Sequence, residues 1–81
     1  MKATHKYRWQ VLDVALRLHM CSTGALDYHD SMVDECAWLA QRIEDWKPGR
    51  PQQRVFDNAV YELCMTALGE YCAFEERMFK P

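Results

Sequence analysis

The stretch THKYRWQVLDVALRLHMC, residues 4–21, decides the fold. Lys6, Gln10, Asp13 and Arg17 recur at the three- and four-residue steps that trace one line along an α-helix. Nearly everything else there is apolar. Tyr7, Val11, Val14 and Leu18 form one flank, and Trp9, Leu12, Leu16 and Met20 form the other. A surface helix needs a single apolar stripe. Two flanks predict a helix that is central, or wedged between its own fold and a partner. Arg8 lies opposite the polar line and calls for an acidic neighbour or a route to solvent.

Working outward, Ser22-Thr23-Gly24 reads as the break, with Gly24 suited to a left-handed helix C-cap. A second helix is expected to start between Ala25 and Ser31 and to end near Trp46, because Pro48-Gly49 cannot continue it. Ser31 with Asp34 gives a short capping signal. His29, Met32, Cys36, Leu39, Ile43 and Trp46 share its expected core stripe. Pro51 suits the first turn of a third helix running to about Met78. Its expected core stripe is Phe56, Ala59, Val60, Leu63, Ala67, Tyr71, Phe74 and Met78, with a second stripe of Tyr61, Met65, Leu68, Cys72 and Phe79. Alternating β-branched runs and Asn-Gly or Asp-Gly turns are absent, so no strand is expected. Short connections favour an all-α, antiparallel three-helix up-down-up bundle, and the pattern leaves open whether the second helix is continuous or is kinked or split. All of residues 1–81 fall in one helical domain.

Composition bounds the function. Apolar residues make up 49% and aromatics 12%, which excludes a disordered chain. No apolar run approaches the roughly 18 residues of a membrane span. Lys2 and Lys6 precede no unbroken apolar segment, so no secretory signal is expected. The four cysteines, Cys21, Cys36, Cys64 and Cys72, are then expected to be reduced thiols in a cytoplasmic protein. Net charge is −2, so nucleic acid and anionic membranes are not the expected partners.

A domain this small buries only about 60% of the surface its unfolded chain exposes. Yet the chain holds three Trp, four Tyr, three Phe and five Met. Part of the apolar surface is therefore expected to meet another polypeptide, as a homodimer through the flanks of helices one and three, with Tyr61, Met65 and Leu68 as the contact residues. Trp38 falls off the core stripe among Asp34, Gln41, Arg42 and Asp45. Trp38 with Asp34 and Asp45 is the expected docking surface for a basic protein partner, since aromatic side chains dominate interface energetics. Charge also segregates, with Lys2, His5, Lys6, Arg8, Lys47, Arg50 and Arg54 at one end and Asp27, Asp30, Asp34, Glu35, Glu70, Glu75 and Glu76 at the other.

The sequence leaves two other chemistries open. His19, Cys21, His29 and Asp30 flank the first turn and could form a metal- or redox-responsive module, although paired-cysteine and His-Glu-x-x-His motifs are missing. The basic end could meet phosphate, but its most basic turn holds two prolines and offers no recognition helix. Catalysis is not expected: no Gly-rich phosphate loop occurs, and Asp34-Glu35 and Glu75-Glu76 are sequence neighbours that splay apart on a helix. No cofactor is expected either. The reading is a non-enzymatic, protein-binding regulator or inhibitor. By analogy with small acidic helical proteins of phages and plasmids, its target would be a nucleic-acid-handling complex, as for anti-CRISPR proteins.

Overall fold

The polar line of residues 10, 13 and 17 is solvent-accessible and borders a second helix along one edge. A computed structural model describes residues 2–45 and 58–79, with side chains from Arg8 onward. Three helices fill them: α1 (Lys2–Thr23), α2 (Ser31–Asp45) and α3 (Asn58–Phe79). The expected helix start at Pro51, the stripe residues Tyr7, Trp46 and Phe56, and every residue of the basic end except Arg8 lie outside the described side chains.

The end of α1 is set by Gly24, whose φ of 87° is in the left-handed region. The Gly24 N–H donates to the Cys21 carbonyl at 3.2 Å and the Ala25 N–H to the Met20 carbonyl at 2.9 Å. These two bonds form a Schellman cap that satisfies carbonyls the helix leaves open. The Ser22 hydroxyl donates to the Leu18 carbonyl at 2.7 Å and adds to this closure. Helix α2 then begins at Ser31, so the cap position falls on Asp30 rather than on Ser31. Over its described length α2 is one helix, neither split nor broken.

Side-chain pairings fix the directions. Arg17, near the end of α1, meets Glu35, near the start of α2, at 3.1 Å, so these helices are antiparallel. Cys36 on α2 faces Cys72 and Glu75 towards the end of α3, again antiparallel. Leu12, Leu16 and His19 climb beside Leu63, Ala67 and Glu70, so α1 and α3 are parallel. This is the up-down-up bundle, and every pair of helices is in contact, α1 with α3 most extensively.

Val11, Val14, Ala15, Leu18 and Cys21 of α1 meet Met32 and Leu39 of α2 and Val60, Cys64, Ala67 and Tyr71 of α3 in the core. Four residues expected in the core are exposed, among them Ala59 near the start of α3. Leu63 is 59% exposed and Met78 is equally exposed, not buried. His29 is exposed in the connection before α2. The buried arc of α3 keeps Val60, Ala67 and Tyr71 of the expected core stripe and extends to Cys64, on the side of the second stripe. Tyr61 and Leu68, on the second stripe, pack against that core. The apolar arc of α3 is wide enough to be rotated either way, and the position of α2 settles which flank is covered.

Candidate functional site: the apolar groove between α1 and α3

Because α2 covers one side of the α1–α3 pair, the opposite side stays open. Two small buried residues, Ala15 and Ala67, line the floor of a groove along the α1–α3 seam. Leu12 and Leu16 form one wall, Leu63 the other, and the groove measures about 500 Å³. Leu16 is 54% exposed and Leu63 59%. Trp9, two turns before Leu16 on the same side of α1, is 69% exposed. At the far end the His19 Nδ1–H donates to the Glu70 carboxylate at 2.8 Å. Glu62 and Thr66 line the α3 rim. The result is an apolar channel with a polar, mostly acidic edge.

The expected docking surface on α2 is arranged differently. Trp38 is half-buried and packs against the core, with the Arg42 guanidinium 5.5 Å from its ring centroid. Asp45 accepts a hydrogen bond from Gln41 at 3.0 Å and another from Arg42 at 3.4 Å. Asp34 shares a shallow depression of about 440 Å³ with Trp38, Asp13, Arg17 and Glu35. Arg17 crosses this depression, reaching Asp13 at 3.0 Å and Glu35 at 3.1 Å. Trp38 and Asp34 are thus neighbours at the α1–α2 seam, while Asp45 is engaged within α2. On α3, Met65 is 44% exposed, whereas Tyr61 and Leu68 are half-buried. The structure does not gather these six residues on one face.

The residues flanking the first turn do not converge. His19 is taken by Glu70, Cys21 is buried and His29 is exposed. Among the described residues no three His, Cys, Asp or Glu side chains group as a metal site. Asp30 and Glu75 both bear on Tyr28, whose ring meets Phe79 edge-on at 5.1 Å. Among the described residues no helix is long and apolar enough to cross a membrane.

The signal for the groove was present in residues 62–70. Leu63 has Ala59, Thr66, Ala67 and Glu70 as its helix-face neighbours, a small and polar setting that marks a rim rather than a core. The flank of Trp9, Leu12 and Leu16 was visible in α1 itself. Comparison with known proteins gives no matching family model, no similar curated protein and no similar solved structure.

Proposed function

We propose that this chain is a non-enzymatic regulator or inhibitor that binds another protein, and that the α1–α3 groove is its binding face. The supporting observation is the exposure of Leu16 and Leu63 on the two walls of an open apolar channel, with Trp9 exposed two turns away on the same side of α1. Isolated exposed hydrophobes are ordinary, but a continuous patch with a polar rim marks an interaction site. A channel between two parallel helices fits the apolar face of a partner helix, whose side chains at three- and four-residue spacing would seat between Leu16 and Leu63. The acidic rim of Glu62 and Glu70 favours a partner with basic residues beside its apolar stripe. The same chemistry also supports a homodimer, in which a second copy covers the groove when no partner is present. A phage- or plasmid-borne inhibitor of a nucleic-acid-handling complex is the specific form of this function that we propose. It rests on analogy in size and charge.

The test is affinity capture from the native host with the wild-type chain, Leu63→Glu and Trp38→Ala, read by mass spectrometry. A partner held by wild type and by Trp38→Ala but lost with Leu63→Glu supports the groove. A partner lost only with Trp38→Ala moves the binding face to the α1–α2 seam. Equal recovery with all three overturns the proposal.

A further inference from the structure

Helices α1 and α3 run parallel, so their carboxyl ends, at Thr23 and Phe79, lie at the same end of the molecule. Helix α2 runs the other way and touches both of them. Among the described residues, none from α2 lines the groove. In an up-down-up-down bundle each helix has antiparallel neighbours. The groove is the place where the fourth helix of such a bundle would lie. From Trp9 to His19 it runs about 15 Å along α1 at 1.5 Å per residue, or three turns of a facing helix. Its charges sit on the α3 side. Glu62 is exposed, and Glu70 keeps 39% of its side chain exposed beside His19. The two carboxylates are separated by about 12 Å along the helix axis.

We propose that the groove receives one helix of a different protein, antiparallel to α1 and α3, whose aliphatic stripe is flanked by two Lys or Arg residues seven or eight positions apart. Resting on the groove as the binding face, the geometry fixes two further properties of the occupant: its direction and its charge spacing. The carboxyl ends of α1 and α3 carry partial negative charge, which favours the partially positive amino end of the incoming helix beside them. One cation then meets Glu70 near the amino end of the guest, and the other meets Glu62 near its carboxyl end. Its aliphatic side chains seat over Ala15 and Ala67, between Leu16 and Leu63. A second copy of this chain brings the same two carboxylates to the rim, and like charges make it the weaker occupant.

The test uses the full-length chain and a designed, end-capped helical peptide of about 18 residues. Its leucines recur at three- and four-residue steps, and two lysines flank them one heptad apart. A control peptide carries glutamate at those two positions. By fluorescence anisotropy at low salt, the lysine peptide should bind about ten-fold tighter than the control. In the double variant Glu62→Gln, Glu70→Gln the difference should shrink to about two-fold, and Leu63→Glu should weaken the lysine peptide about ten-fold. A nitroxide on the amino end of the peptide should broaden the amide signals of His19 and Glu70 and spare the Trp9 indole N–H. On the carboxyl end it should do the reverse. The opposite pattern, or equal broadening from both labels, overturns the direction while leaving the groove in place. Equal binding of the two peptides overturns the charge spacing. No binding to the wild type, or binding untouched by Leu63→Glu, removes the groove as the binding face and this proposal with it.

Discussion

Cys64 shows how a single buried side chain sets a condition on the whole fold. It is fully buried among the apolar side chains of the core, and burial pushes its thiol up to about 11 from an ordinary 9.0. The unfolded chain ionises near 9 while the native thiol stays neutral. The stability Cys64 confers is therefore complete below pH 9 and is lost as pH rises through about 11. Cys36 acts in the same window, and Tyr71, raised by burial and then by Glu75, acts above it in the same direction. The melting temperature should fall by roughly 5 °C or more between pH 8 and pH 11. Cys64→Ala should be less stable at pH 8, with the gap to wild type narrowing towards pH 11 in thermal melts. A constant gap would assign the loss to other groups. At the groove, by contrast, Leu63→Glu should leave the melting temperature within a few degrees of wild type, since an exposed substitution typically changes stability by less than about 0.5 kcal/mol.

Within the elements, the two glycines of α1 and α3 act with opposite sign. Gly24 ends α1 with a positive φ, and an L-residue there costs about 1–2 kcal/mol. Gly69 sits inside α3, and a Cβ added to it would meet nothing within 4 Å. Thermal unfolding should show Gly69→Ala raising the melting temperature by about 4 °C, from a helix-propensity gain of about 0.5–1 kcal/mol. Gly24→Ala should lower it by at least as much. The cap at Gly24 was legible because only one local conformation fits that turn. The rotation of α3 was not. Periodicity places Leu63, Ala67 and Tyr71 on one line and Tyr61, Met65 and Leu68 on another, and both lines are apolar. Which line is buried depends on where α2 packs, and that contact is made between elements rather than within one. The same holds for Trp38: its angle on α2 suggested a docking surface, while in the bundle it is half-buried and packs against the core.

At the scale of the molecule, three helices packed into 44 × 22 × 18 Å leave few positions wholly hidden. The three-helix architecture was readable from the long amphipathic periods and their breaks. The apolar surplus was readable too, from aromatics and methionines that outnumber what a small core can enclose. Its location was not, because it is whatever the middle helix leaves uncovered. If a second copy covers it, light scattering at about 100 µM should give twice the chain mass, and Leu63→Glu should give the mass of one chain. A wild-type mass of one chain at that concentration would remove self-association and leave the groove to a different partner. The parallel pairing of α1 with α3 has a further consequence, for biosynthesis. His19 and Glu70 are 51 residues apart, and the seam they close is the largest in the molecule. A ribosome emits α1 and α2 well before α3. Until α3 emerges, α1 has only the smaller α2 contact to shelter it, so the nascent chain has to keep one flank of its first helix from aggregating until its last helix has been made.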